Sequence, residues 1–174
     1  WIYSNATDSQ YLKAPTGLGY GALIYTGGIS SSATKVRKNS AYNAKVGNDV
    51  YGEGAASGGA ALTVVAVNQF GISGEGPGFQ TDSDAGKRDV GQGDSGGPVI
   101  RLHTDGEYTP LGMVKGPGWK VNSSPREMTV LGLCEKGVVH WNGNPNYPRF
   151  CSKRSFHINT TAIESALGVD IYKP

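Results

Sequence analysis

Several features that would assign a function class are scarce or absent in this sequence. No apolar run approaches the length of about 18 residues that a membrane-spanning helix requires. The formal net charge is only +2, and the densest basic group is the short run at 35–38, so the composition gives no sign of a nucleic-acid or membrane partner. The sequence also has no metal-ligand cluster, phosphate-binding loop or nucleotide fingerprint, so we expect no cofactor and no metal ion.

Cysteine is scarce as well. The only two cysteines, Cys134 and Cys151, fit one disulfide bond formed in an oxidising compartment. Closing this loop of about 17 residues would stabilise the fold by about 3 kcal/mol through the unfolded state. Sequons begin at Asn5, Asn122 and Asn159 and would be glycosylation acceptors if a eukaryote secreted the protein. Together these features predict a secreted, extracellular protein.

Glycine, in contrast, is abundant. The 27 glycines, the low charge and the many serine, threonine and valine residues are typical of a turn-rich, all-β protein. Residues 62–70 are the clearest strand, and their nearly continuous apolar character predicts burial on both faces. Residues 71–91 are rich in glycine, serine and charge, which predicts a long loop. Near the C-terminus, the capping-box pattern of residues 161–164 and the exit residue Gly168 predict one helix.

One stretch carries chemical information: residues 91–100 read Gly-Gln-Gly-Asp-Ser-Gly-Gly-Pro-Val-Ile. This composition predicts a tight turn that presents the hydroxyl of Ser95 and then enters a strand. Acyl transfer needs backbone N–H groups that converge on a developing oxyanion, and side chains there would block the substrate carbonyl. We therefore predict that Ser95 is a nucleophile and that the N–H groups of Gly93 and Ser95 form the oxyanion site. The alternative is a surface serine in a glycine-rich hairpin.

The sequence contains no histidine before Ser95 that could serve as its base. A serine hydroxyl is a poor nucleophile until a neighbouring base, usually a histidine oriented by a carboxylate, takes its proton. The chain has three histidines, His103, His140 and His157, and all of them follow Ser95.

The complete run Gly-Asp-Ser-Gly-Gly-Pro at 93–98 resembles the nucleophile motif of the chymotrypsin-fold serine peptidases. That resemblance implies two six-stranded antiparallel barrels, of which the second carries the serine and ends in a helix. It also implies a histidine and an aspartate that precede the serine. We therefore interpret the chain as the C-terminal portion of such a peptidase. Residues 1–19 would be the end of the first barrel and a linker, and residues 20–174 the second barrel. The histidine would come from an upstream segment or a partner chain.

The resemblance also implies two supporting acids. In the family a short aromatic and β-branched run like that at 1–3 follows the catalytic aspartate, which would then lie just before residue 1, with Asp8 as the alternative. In the streptogrisin-type branch a strand arginine pairs with the aspartate next to the nucleophile, which predicts a pair between Arg37 and Asp94. A carboxylate under the nucleophile turn must be paired or hydrogen-bonded to stay charged. Alternatively, Arg37 is a solvated strand residue.

A specificity pocket is implied by Asp89, which stands six residues before Ser95. Trypsin-like members of the family place the acid at the floor of the pocket at this separation. A buried carboxylate there would select an arginine or lysine side chain through a charge-assisted hydrogen bond. The alternative is a surface acid that pairs with its neighbours Lys87 and Arg88.

The wall of that pocket has two candidate placements. Residues 128–137 resemble the family strand whose last three residues pair with the substrate, which would put Glu135, Lys136 and Gly137 along the groove. The competing placement uses residues 111–117. We prefer the first because the tail after Cys151 then follows the streptogrisin pattern.

The resemblance also places His157 on the strand at the bottom of the pocket, where glutamate-specific relatives carry a histidine. An ordinary core histidine is an equal alternative.

The sequence thus predicts a secreted serine endopeptidase that cuts peptides or proteins through an acyl-enzyme on Ser95, with a trypsin-like preference for arginine or lysine. Two alternatives remain: an inactive peptidase-fold module that binds or regulates, and an active enzyme that prefers acidic residues.

Overall fold

A computed structural model describes residues 2–4, 9–11, 23–25, 34–36, 43–84, 86–135, 140 and 144–168 of the chain. The strands are β1 (Ile2–Ser4), β2 (Ser9–Tyr11), β3 (Leu23–Tyr25), β4 (Thr34–Val36), β5 (Asp49–Gly54), β6 (Gly58–Gln69), β7 (Gly78–Ser83), β8 (Val90–Gly91), β9 (Pro98–Leu102), β10 (Tyr108–Pro117), β11 (Gly132–Leu133), β12 (Phe150–Ser152) and β13 (Arg154–Asn159), followed by helix α1 (Thr160–Leu167).

Six of these strands close into an antiparallel barrel in the order β10, β13, β7, β6, β5, β9. Three short strands, β11, β12 and β8, form a second antiparallel sheet that leads into the turn carrying Ser95. The pairs β1–β2 and β3–β4 are separate two-stranded sheets. The prediction of an all-β fold with a six-stranded barrel and a C-terminal helix is confirmed, whereas the proposed division at residue 19 stays a prediction.

The core of the barrel follows from side-chain alternation along the strands. On β6, Leu62, Val64 and Ala66 are buried while their neighbours are less so. The interior is apolar, and it is formed by Ala44, Val50, Ala60, Leu62, Val64, Phe79, Val90, Val99, Leu111 and Val114. The prediction of a strand at 62–70 is therefore confirmed, but the prediction that both of its faces are covered is wrong.

The prediction of a long loop at 71–91 is also wrong in part, because strand β7 lies within these residues. Phe79, Gln80 and Thr81 are completely buried, and β7 pairs with β6 on one side and β13 on the other. The glycines and charges of this stretch mark its two ends, and the six residues between them supply a central barrel strand.

Helix α1 covers the outside of β13. Ala162 and Ile163 pack against a second apolar cluster formed by Trp119, Phe156 and Ile158. Gly168 ends the helix in the left-handed conformation, as predicted, with φ 64°. The prediction of a capping box is wrong. Asn159 is the N-cap and makes no side-chain capping bond. The Thr161 hydroxyl donates to the Asn43 side chain instead. The described part of the chain contains no helix with the length and hydropathy needed to cross a bilayer.

Candidate active site

The Ser95 side chain is exposed at the tip of the turn that joins β8 to β9. The turn needs left-handed backbone on both sides of the serine, with φ 87° at Gly93 and φ 84° at Gly96, which glycine adopts without strain. The Ser95 hydroxyl donates to the carbonyl oxygen of Lys115 at 3.4 Å. Because Val99 and Ile100, which follow the turn, are completely buried, the barrel wall fixes one end of this turn.

Strand β10 holds the other side of the turn. The Gly96 N–H donates to the Val114 carbonyl, and the Val114 N–H donates to the Gly97 carbonyl, both at 2.8 Å. A Cβ on Gly97 would lie 2.4 Å from the Glu53 carbonyl oxygen, so only glycine allows this approach. The sequence offered two candidate segments for the pocket wall. Of these, residues 111–117, which lie within β10, are the ones that the structure places beside Ser95.

Two N–H groups of the turn are open to a ligand. Within the described residues, neither the Gly93 N–H nor the Ser95 N–H donates a hydrogen bond to the protein. The neighbouring amides are engaged, since the Gln92 N–H donates to Phe150 and the Asp94 N–H donates to Gly91. The pair that the sequence assigns to the oxyanion site is therefore the pair without an internal acceptor.

The carboxylate next to the nucleophile is buried and fully hydrogen-bonded. Asp94 is 1% exposed. Its Oδ1 accepts from the N–H groups of Ala56 and Ser57 at 3.1 and 2.8 Å. Its Oδ2 accepts from the Ser57 hydroxyl at 2.6 Å, the Gly91 N–H at 3.0 Å and the Arg149 guanidinium at 3.3 Å. Five donors, one of them cationic, satisfy both oxygens of this carboxylate without access to water.

Glycine at one position of the β5–β6 hairpin makes room for this carboxylate. A Cβ on Gly54 would lie 2.2 Å from Asp94 Oδ1. The hairpin therefore closes directly over the acid and presents its amides to it.

The cation that pairs with Asp94 among the described residues is Arg149, whose side chain is completely buried. Sequence reasoning missed this residue and named Arg37, which lies outside the described residues. No local pattern marks Arg149, and the only hint is its position two residues before Cys151.

The disulfide predicted between Cys134 and Cys151 is confirmed, with their Cα atoms 4.8 Å apart. Cys151 pairs in register with Gly91, and a Cβ on Gly91 would lie 2.8 Å from the Cys151 sulfur. The disulfide thus packs against the residue from which the nucleophile turn starts.

Asp89 is buried at 6% exposure rather than on the surface. Its Oδ2 accepts from the Ser83 hydroxyl at 3.1 Å, while its Oδ1 has no partner among the described residues. The adjacent Arg88 pairs with Glu135 at 3.3 Å and not with Asp89. The predicted role of Asp89 in a pocket stays a prediction, as does that of Glu135, and the surface pair with Arg88 is not observed.

His157 lies completely buried inside the barrel wall. Its Nε2 is 2.7 Å from the Thr81 hydroxyl and 3.1 Å from the Ser155 hydroxyl, and its ring packs on Phe79 with centroids 5.0 Å apart. Burial lowers the pKa of His157 to about 3, so the ring is neutral at physiological pH. These surroundings favour the core role over a cationic contact with an acidic substrate.

No described histidine contacts the Ser95 hydroxyl. The Nε2 of His103 is hydrogen-bonded to the Thr109 hydroxyl at 2.8 Å, and the backbone of His140 forms an isolated β-bridge with that of Pro148. Four further residues named from the sequence lie outside the described residues: Asp8, Arg37, Lys136 and Gly137.

The sequence matches no protein-family model, and no curated protein is significantly similar to it. The closed six-stranded antiparallel barrel with a C-terminal helix is nevertheless compatible with the barrel of a chymotrypsin-like peptidase.

Proposed function

We propose that the chain is the nucleophile-bearing portion of a secreted serine endopeptidase. One observation carries the proposal: an exposed hydroxyl on Ser95 stands beside two N–H groups, of Gly93 and of Ser95 itself, that have no acceptor among the described residues. A serine on an ordinary surface hairpin needs neither these open amides nor a buried, five-fold hydrogen-bonded acid beneath it. An acyl-transfer site needs both the donors and a rigid support for them.

The chemistry follows from this arrangement. A histidine from an upstream segment or a partner chain takes the proton of Ser95 Oγ, which attacks the carbonyl carbon of the scissile peptide bond. The carbonyl oxygen becomes an oxyanion that the N–H groups of Gly93 and Ser95 stabilise. The C–N bond breaks, the histidine gives its proton to the leaving amine, and an acyl-enzyme remains on Ser95. Water, deprotonated by the same histidine, then attacks the ester carbon. The C–O bond to Ser95 breaks, the histidine returns the proton to Ser95 Oγ, and the acid is released.

The preference for arginine or lysine at the cleaved bond rests on Asp89. Its Oδ1 is buried and has no partner among the described residues, and an unpaired buried carboxylate oxygen gains most from a cationic side chain. The neutral, enclosed His157 offers no opposite charge to an acidic substrate. Basic substrates are therefore favoured over acidic ones.

The test is covalent labelling of the full-length protein, with any partner chain that supplies the histidine, by diphenyl peptidyl phosphonates. We expect one phosphonyl group on Ser95, and faster labelling by the reagent with a basic side chain than by its acidic counterpart. Ser95→Ala is the control and should take up no label.

Absence of labelling with both reagents would contradict the peptidase. It would favour the second candidate, a peptidase-fold module that binds without catalysis, since no described histidine contacts Ser95.

A further inference from the structure

The buried Arg149 contacts the chain on both sides of Gly93. Its Nε donates to the carbonyl oxygen of Gln92 at 2.7 Å. Its terminal nitrogen donates to Asp94 Oδ2 at 3.3 Å and to the Ser57 hydroxyl at 3.0 Å. One guanidinium thus bridges the residue before Gly93 and the residue after it.

The contact with Gln92 has a geometric consequence for the oxyanion donor. The Gln92 carbonyl and the Gly93 N–H belong to the same peptide unit, which is planar and trans. In a trans peptide the C=O and N–H point in opposite directions. When Arg149 holds the carbonyl toward the buried side, the Gly93 N–H must face outward, toward the substrate.

Without such a contact, little would hold this peptide in place. Glycine at position 93 leaves the oxyanion site open, but glycine adopts positive and negative φ with similar ease, so the Gln92–Gly93 peptide can turn over. The Gln92 side chain and N–H are anchored to Phe150, and neither contact fixes the carbonyl that follows them.

The need to neutralise Asp94 does not explain the whole of this contact. Four neutral donors already surround the Asp94 carboxylate, and a single ammonium group could supply the charge. A guanidinium donates from separate nitrogens held in one rigid plane, whereas an ammonium donates from a single nitrogen at the end of a flexible chain. The bond to the Gln92 carbonyl involves Nε, the nitrogen that a lysine lacks.

We propose that Arg149 is a positioning residue of the oxyanion site, which orients the Gly93 N–H by holding the Gln92 carbonyl. This inference rests on the proposed function, because the orientation matters only if Ser95 forms a tetrahedral intermediate. Because its side chain is completely buried, Arg149 would act through the Gln92–Gly93 peptide and not on the substrate itself.

The first test measures the orientation itself and needs no activity. Residual dipolar couplings of the Gly93 N–H are recorded by NMR in the wild-type protein and in Arg149→Lys. Arg154→Lys is the matched control, because Arg154 also donates two hydrogen bonds to a carboxylate, that of Asp82, at 2.5 and 2.6 Å. We expect the Gly93 coupling to change in Arg149→Lys, the barrel couplings to stay, and neither to change in the control. An unchanged Gly93 coupling would overturn the proposal.

The second test covers the case in which Arg149→Lys does not fold. Hydrogen exchange in the wild-type protein should then show a strongly protected Arg149 Nε–H and a Gly93 N–H without protection. An unprotected Arg149 Nε–H or a protected Gly93 N–H would overturn the proposal.

The third test separates this inference from the proposed function. Loss of one oxyanion donor lowers kcat by about 100-fold to 1,000-fold, so phosphonylation of Ser95 should slow to that extent in Arg149→Lys, with unchanged reversible binding of the peptide part. If the wild-type protein is never labelled, the proposed function fails, while the Gly93 coupling still decides the role of Arg149. If labelling is equally fast in both proteins, the inference fails and the peptidase stands.

Discussion

Replacing Asp94 with asparagine should cost this protein a large part of its stability. In the folded state Oδ2 of Asp94 faces three donors, on Ser57, Gly91 and Arg149, while Oδ1 faces two backbone N–H groups. An asparagine keeps an acceptor on one side only, so its NH₂ group must face donors on the other. The substitution also leaves the guanidinium of Arg149 buried without its anion.

The size of the effect follows from the burial of this pair. Both side chains are 0% exposed, and removing one partner of a buried ion pair costs about 3–5 kcal/mol. The total stability of a domain is about 5–15 kcal/mol, so Asp94→Asn should lose about a fifth of it or more. The position of the nucleophile turn depends on the same network, so phosphonylation of Ser95 should be lost together with stability.

Urea denaturation at neutral pH measures this effect, with Asp82→Asn as the matched control. Asp82 pairs with Arg154 in bidentate geometry, but its side chain is 40% exposed, so solvent screening should limit the loss to about 1 kcal/mol or less. A loss below about 1 kcal/mol for Asp94→Asn, or equal losses for the two variants, would show that the buried pair does not stabilise the fold in this way.

Three further predictions test the surroundings of the site. Gly54→Ala should destabilise the fold by about 1–3 kcal/mol because its Cβ would lie 2.2 Å from the buried carboxylate, whereas Gly116→Ala, with no atom within 4 Å of its Cβ, should melt within a few degrees of wild type. Replacing Cys134 and Cys151 together by alanine should lower the free energy of unfolding by about 3 kcal/mol, and an unchanged denaturation midpoint would contradict this. The pKa of His157 falls from 6.5 when unfolded to about 3 when folded, so its contribution to stability should be lost as pH falls from 6.5 towards 3, by about 1.4 kcal/mol per pH unit. His157→Gln should flatten this part of the stability profile, and an equal slope in both proteins would count against a neutral buried ring.

Much of the local architecture could be predicted because it is encoded in short stretches. The apolar run at 62–70 marks a strand, the glycines around Ser95 mark a turn with special backbone angles, and two lone cysteines leave only one possible pairing. Each of these signals depends on a few neighbouring residues. The strand, the turn at Ser95 and the disulfide accordingly agree with the sequence-based predictions.

The parts that could not be predicted depend on contacts between distant segments. Arg149 meets Asp94 across 55 positions of sequence, through a sheet of two-residue and three-residue strands, β8, β11 and β12, that no periodicity marks. Strand β7 was missed because its buried residues include Gln80 and Thr81, which are polar. The side-chain oxygen of Gln80 accepts the Trp119 N–H at 2.7 Å, while its Nε2 has no partner among the described residues.

Active-site titration distinguishes an activated nucleophile at Ser95 from an ordinary surface hydroxyl. The full-length protein, with any histidine-supplying partner, is mixed with p-nitrophenyl guanidinobenzoate, and p-nitrophenol release is followed by absorbance. We predict a rapid burst of one equivalent per chain, which is lost in Ser95→Ala. Slow linear release without a burst, at the same rate in both proteins, would contradict it.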